Sequence, residues 1–215
     1  MKILSRTVGP FQANCYLVID EGTGRAVLID PGDEGAELVE LVRGSGATLT
    51  EIWLTHGHID HIGGVAEVRR HFPVPVRLHP LDRPFYDSLS ARMAEVYGLP
   101  FDQPDPPDHA LADGDLLSCG DLRFTVMHVP GHAPGLVSFN GEGVALCGDL
   151  LFAGSIGRTD LPLSDPHAMH ESLARIAALP EETVVHPGHG GPTTIGEELK
   201  SNPFLSGRAR VLSRR

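Results

Sequence analysis

Four metal-capable side chains, His56, His58, Asp60 and His61, fall within the short run T-H-G-H-I-D-H. An ordinary polar surface loop is the plain alternative, but histidine is scarce and clustered carboxylates need partners, so that alternative is weak. Residues two apart in an extended chain share a face, so His56 and His58 can grip one ion. A turn into a following helix would redirect Asp60 and His61, which makes a second, adjacent metal site possible. Each ion would still lack ligands. Three more candidates stand at strand-to-loop transitions downstream: His132 in VPGHAPG, Asp149 in LCGDLLF and His189 in HPGHGGP. Glycines beside each of them allow close backbone approach.

The elements that must position these groups can be read from periodicity. NCYLVID and AVLID flank the turn GTGR as a β-hairpin, and EGAELVELVRG then has helical spacing. TEIWLTH is a short apolar strand that runs out at His56, and DHIGGVAEVRRHF reads as one helix ending before Pro73. Residues 80–107 hold helical pieces such as SLSARMAEVYG and a proline-rich acidic connector, and are expected to form a surface excursion. DLRFTVMHV, GLVSFN and GVALCGDLLF are three further strands, DPHAMHESLARIAAL is a helix capped by Asp165 with Pro166 at its first position, and TVVHPGHG is the last strand and loop. Two blocks of strands, each with helices, suggest two sheets covered on their outer faces.

Composition narrows the function classes. The 215 residues, 41% hydrophobic, suit one domain spanning 1–215, and the net charge of -11 argues against a nucleic-acid partner. The three cysteines, Cys15, Cys119 and Cys147, show no pair spacing, so neither a disulfide framework nor a cysteine zinc site is indicated, and a reducing compartment fits. No apolar run approaches the roughly 20 residues of a membrane span. The expectation is a cytoplasmic protein with no membrane partner and an oligomeric state that the sequence does not specify.

The series HxHxDH, PGH, GD and PGHG, formed here by His56, His58, Asp60, His61, His132, Asp149 and His189, resembles the metallo-β-lactamase superfamily in order and context. The resemblance implies an α/β fold, an αββα sandwich of two facing mixed sheets with outer helices. It also implies a ligand set: His56, His58 and His132 for one metal, Asp60, His61 and His189 for the other, and Asp149 bridging at roughly 3.5–4 Å between ions. Asp30 in LIDPGD resembles the buried carboxylate that steadies a metal-bound imidazole through its distal N–H. The cofactors are then two divalent ions, with zinc expected and iron or manganese also suited to the donors. Two such ions, two carboxylates and a hydroxide leave about +1 of charge, which favours electron-rich substrates.

Within the superfamily, FQANCYLV, LIDPGD, LFAGSIGRTDLP and HPGHGGPTTIGEELKSNPF are most similar to short bacterial glyoxalase II-like thioesterases. That implies hydrolysis of an S-acylglutathione such as S-lactoylglutathione, with a metal-bridging hydroxide attacking the thioester carbonyl and Asp60 and Asp149 as the catalytic carboxylates. Arg158 stands where relatives bind a glutathione carboxylate; a salt bridge with Asp160 is the plain alternative. Three alternatives remain: a persulfide dioxygenase with one iron on His56, His132 and Asp149, a lactone hydrolase, and a metal-binding protein without turnover. The bridging Asp counts against an antibiotic-cleaving β-lactamase. The departure from full-length glyoxalase II is the absence of a helical domain after His189. The aromatics Phe85, Tyr86, Tyr97 and Phe101 are read as core ahead of a cover for the site, and Cys147 as a buried hydrophobe. His79, His128 and His186 are read as core or supporting residues, and His71, His109, His167 and His170 as exposed. SGRARVLSRR is read as a solvated tail.

Overall fold

The strand Ala13–Asp20 is buried at every position, so both of its faces must be covered, and the same holds for the apolar positions of its neighbour Arg25–Ile29. That requirement produces layers. The computed structural model describes residues 1–209 and 211. β1 (Lys2–Val8), β2 (Ala13–Asp20), β3 (Arg25–Ile29), β4 (Thr48–Trp53), β5 (Val76–Leu78) and β6 (His109–Ala110) form a sheet in chain order, antiparallel as far as β3 and parallel thereafter. β7 (Leu116–Cys119), β8 (Leu122–His128), β9 (Val137–Gly141) and β10 (Val144–Gly148) continue into a second sheet. A small hairpin, β11 (Leu151–Phe152) with β12 (Ser155–Ile156), intervenes before β13 (Val184–Pro187) and β14 (Thr193–Thr194) complete that sheet. β13 lies parallel to β10 and the other pairs are antiparallel.

Alternation sorts the side chains. Val18, Val27, Ile29 and Trp53 face Phe124, Val126, Phe139 and Leu146 between the sheets, where the Trp53 ring lies 5.7 Å from Phe124 and 5.3 Å from Phe139. The opposite faces carry helices. Leu17, Leu28 and Ile52 pack with α1 (Gly35–Ser45), and with α3 (Val65–His71), which follows the single turn α2 (Ile59–Ile62). After α4 (Ser90–Tyr97), helix α5 (Pro166–Ile176) covers Ala145, Cys147 and Val185 through Met169, Leu173 and Ile176. The arrangement is the expected αββα sandwich of two mixed sheets. Cys147 lies on the helix side, burial pushes its thiol up to about 12, and all three cysteines are free and buried.

Four expectations change. The run 60–72 is two helices, because Gly63 and Gly64 pack on the loop after β3: Gly64 N–H donates to the Pro31 carbonyl at 2.8 Å, and a Cβ on Gly32 would lie 1.6 Å from the Asp60 carbonyl. TVVHPGHG is not the last element, since β14 and α6 (Ile195–Ser201) follow, with Thr194 capping Glu197 N–H at 3.2 Å. The excursion 80–107 keeps most of its residues at the surface, but it contains a π turn, Phe85–Leu89, that runs into α4, and it is rooted in the core at Asp82 and Tyr86. The tail is partly anchored: the Arg208 guanidinium donates to the Ser201 carbonyl at 2.8 Å and Val211 packs on the core under α5. The rest of that tail, Arg210 and residues 212–215, lies outside the described residues. Among the described residues no helix is long and apolar enough to cross a membrane.

Candidate metal centre

β4, β10 and β13, and the β8–β9 connection, all release their loops at the same edge of the sandwich, which brings together residues spread over 134 positions, from His56 to His189. Ring nitrogens of His56, His58 and His132 lie within 4.8 Å of one another, and donor atoms of Asp60, His61 and His189 form a second group of the same size. Asp149 stands between them: Oδ1 is 3.5 Å from His61 Nε2, and Oδ2 is 3.4 Å from both His132 Nε2 and His189 Nε2. Asp60 Oδ2 is 3.3 Å from His189 Nε2. All seven side chains singled out in the sequence therefore converge on one locus.

The outer nitrogens are tied down. His56 Nδ1 lies 3.0 Å from Thr55 Oγ1, His61 Nδ1 2.9 Å from Asp30 Oδ2, His132 Nδ1 2.8 Å from the Arg158 carbonyl and His189 Nδ1 3.2 Å from the Gln12 carbonyl. An acceptor at Nδ1 fixes the tautomer with its lone pair on Nε2, which faces inward. His58 differs, turning Nδ1 toward His132 Nε2 at 2.9 Å while Phe85 packs edge-on against its ring. Asp30 is itself held by the Thr55 N–H at 2.7 Å and hydroxyl at 2.5 Å, in a left-handed backbone conformation with φ 50°.

Chemistry of the donor set fits cations. His56 Nε2, His61 Nε2 and Asp149 Oδ1 are buried and make no hydrogen bond, an expensive arrangement for three polar atoms unless an ion is their partner. Burial lowers His56, with His61 and His58 adding to the effect, and it takes His58 down to about 3 with the help of His132. Burial also works against a charged His189, but hydrogen bonds to Asp149 and Asp60 carry it up to about 10. Asp149 goes the other way: burial would raise it, yet His61, His189 and His132 hold it well below the carboxylate range. The two carboxylates thus demand positive charge, and three imidazoles on one side and two on the other offer lone pairs to the same ions.

Several supporting residues carried no assigned role in the sequence. Asn14 Nδ2 donates to the Pro187 carbonyl at 3.1 Å and the Gly190 carbonyl at 2.8 Å, and Tyr16 OH to the Pro187 carbonyl at 2.7 Å, so FQANCYLV clamps the His189 loop. Glu198 takes the Gly154 N–H at 2.9 Å and Asn202 Nδ2 at 2.7 Å, while Asn202 also donates to the Ser155 carbonyl at 3.0 Å. Together they order the hairpin beside the site. Asn14 is visible in sequence only as a polar residue within an otherwise apolar strand, a mild anomaly by the binary pattern.

A cleft of about 470 Å³ opens onto the cluster. One wall is apolar, formed by Phe85, Leu89, Met93 and Tyr97; the other carries Phe152, Ser155 and Arg158. The four aromatics of the excursion divide: Tyr86 and Phe101 join the core, whereas Phe85 and Tyr97 face the cleft, Tyr97 meeting Phe11 edge-on at 5.4 Å. The Arg158 guanidinium is paired with Asp160 at 2.7 and 2.8 Å. His71, His109, His167 and His170 are exposed; His79, His128 and His186 are half-buried and away from the cluster.

A sequence model described as the Metallo-beta-lactamase superfamily matches residues 8–189, a span that contains every one of these donors. The chain belongs to the metallo-β-lactamase superfamily. Hydroxyacylglutathione hydrolase GloC of Haemophilus influenzae is 36% identical over 207 residues, covering 94% of this chain and 97% of that one. Among solved structures, that of the BLEG-1 B3 metallo-beta-lactamase superposes with a TM-score of 0.89 at 40% identity, covering 96% of this chain and all of the other. TTHA1623 in a di-iron-bound form gives 0.87 at 45% identity, with 94% and 100% covered. Superfamily membership and the His/Asp clusters together make this chain a metal-dependent hydrolase with donors suited to a dinuclear site.

Proposed function

We propose that the protein is a thioesterase that hydrolyses S-acylglutathiones such as S-lactoylglutathione. The observation that carries this reading is the similarity to a hydroxyacylglutathione hydrolase over almost the full length of both chains. This chain covers 97% of that relative, so a protein of about this size carries the name hydroxyacylglutathione hydrolase. We assign His56, His58 and His132 to one ion and Asp60, His61 and His189 to the other, with Asp149 between them. When bound, two divalent ions supply Lewis-acid polarisation of the thioester carbonyl and a water acidic enough to act as nucleophile near neutral pH.

The chain's own groups do the remaining work. Asp30 and the Arg158 carbonyl fix the tautomers of His61 and His132, Asp149 sets the separation of the two clusters, and Asp60 orients the attacking water. Thiols have a pKa of about 8–9, so the leaving sulfur needs little help from a general acid. The apolar wall of Phe85, Leu89 and Met93 receives the acyl side and excludes water from it. The side with Ser155 and Arg158 receives the peptide-like thiol, where the guanidinium can exchange Asp160 for a substrate carboxylate.

Metal analysis of the purified protein combined with steady-state hydrolysis of S-lactoylglutathione tests the reading directly. Two metals per chain and turnover are expected. One iron per chain with oxygen uptake on glutathione persulfide would make it a dioxygenase instead, and turnover confined to lactones would reassign it as a lactonase. The similarity to BLEG-1 favours a second reading, β-lactam hydrolysis. A chromogenic cephalosporin cleaved faster than any thioester would establish it.

A further inference from the structure

Asp82 lies outside every motif that marks the metal centre, yet it is fully buried and its carboxylate is divided between two of the centre's loops. Oδ2 accepts the Gly57 N–H at 2.8 Å, and Gly57 is the residue between His56 and His58. Oδ1 accepts the Gly135 N–H at 2.5 Å, three residues after His132. No salt bridge to Asp82 occurs among the described residues. Burial pushes its carboxyl up to about 6 against the two backbone hydrogen bonds. A buried carboxylate with only two N–H partners is costly to keep unless it serves the groups it holds.

The packing around it is equally particular. A Cβ on Gly57 would lie 2.9 Å from the Asp82 carbonyl, and one on Gly135 would lie 2.8 Å from Asp82 N and Oδ1. Both loops therefore rest directly on the 80–82 turn. Ser90 completes the hold by donating its hydroxyl to the Gly57 carbonyl at 2.8 Å. The loop that presents Asp60 and His61 and the loop that presents His189 are anchored elsewhere, on the segment after β3 and on Asn14.

We propose that Asp82 is the positioning residue of one metal subsite only: it staples the His56–Gly57–His58 turn to the His132 loop and sets the separation of the three imidazoles that receive that ion. The Asp60–His61–His189 subsite makes no hydrogen bond to Asp82 among the described residues and meets the stapled turn where the His61 N–H donates to the His58 carbonyl at 3.0 Å. The assignment rests on the metal-centre reading but not on the identity of the substrate, since its readout is metal uptake.

Asp82→Asn keeps shape and removes charge, and an amide can accept from only one of the two N–H groups, leaving its NH₂ opposed to the other. The chelated wild type and variant are titrated with cobalt(II), following visible absorption, and with zinc in competition with a chromophoric chelator. The expected result is one equivalent bound as in the wild type and the other weakened about 10–100-fold, the range for loss of an outer-shell partner. Excess metal should restore kcat with KM unchanged, which a general loss of folding would not allow. Two equivalents with unchanged affinity, or both weakened alike, would overturn the proposal. If Asp82→Asn does not fold, Asp82→Ser, whose hydroxyl can still accept one N–H, is titrated in its place and read by the same two outcomes.

Discussion

His132 donates Nδ1–H to the main-chain carbonyl of Arg158 at 2.8 Å, while the Arg158 guanidinium turns outward to Asp160. One residue thus touches the metal centre through its backbone and the cleft through its side chain. Arg158→Ala deletes only the second contact. KM for S-lactoylglutathione should rise about three- to tenfold, since an exposed charge pair contributes roughly 1 kcal/mol, and kcat and metal content should stay near wild type. Unchanged KM would confine the guanidinium to its salt bridge.

Asn14 joins the start of the chain to the His189 loop through two carbonyls, and its own Oδ1 accepts from the Thr7 hydroxyl at 2.9 Å. Asn14→Ala leaves those groups unsatisfied, so thermal unfolding should report a loss of about 1–3 kcal/mol. Metal held by the Asp60–His61–His189 subsite should exchange faster. A stable variant with normal exchange would show that the loop holds its place without the amide.

Gly188 precedes His189 and lies against the bridging carboxylate, where a Cβ would be 2.1 Å from Asp149 Oδ1 and 2.9 Å from His61 Cε1. Gly188→Ala must therefore push Asp149 away from the space between the clusters. Activity should fall by at least about a hundredfold, with stability reduced by roughly 1–3 kcal/mol as for other overpacked sites. Full activity in this variant would contradict the place given to Asp149.

His79 and His128 stack at 4.2 Å with their planes 9° apart. Burial and the neighbouring His128 take His79 down to about 4, below the 6.5 of an unfolded chain. Between these values the unfolded state binds more protons, so this contribution to stability is complete above pH 6.5 and is lost as pH falls toward 4. His79→Phe keeps the stack and removes the titration. Measured on chelated protein, its melting temperature relative to wild type should rise between pH 7 and pH 5; a constant difference would exclude the pair as an acid-sensitive element.

Chelation offers a test of how far folding depends on the ions. A ligand that binds only the native state stabilises it by about 4 kcal/mol at a thousandfold excess over its Kd. Treatment with a strong chelator should abolish turnover and lower the melting temperature, and zinc or manganese should restore both. Turnover that survives verified removal of metal would exclude the proposed chemistry.

The amino-acid sequence by itself determined the seven candidate metal donors, the apolar strands and the capped helix at Asp165, because these are carried by residue type, spacing and local period. For Arg158 it left two readings open, a substrate carboxylate and a salt bridge with Asp160, and the folded chain forms the salt bridge. Folding decided what spacing cannot express: that Asp149 lies between two groups of imidazoles, that His58 turns Nδ1 inward while its companions turn Nε2, and that Gly63 and Gly64 divide one helical pattern in two. Asp82 carried no signal in the linear chain, and Asn14 only its polarity within an apolar strand, for the same reason. Their partners are backbone amides and carbonyls of distant loops, Gly135 being 53 residues from Asp82 and Gly190 being 176 from Asn14. A main-chain N–H or C=O is present at nearly every residue, so only the packing of the two sheets selects which of them a buried side chain will meet.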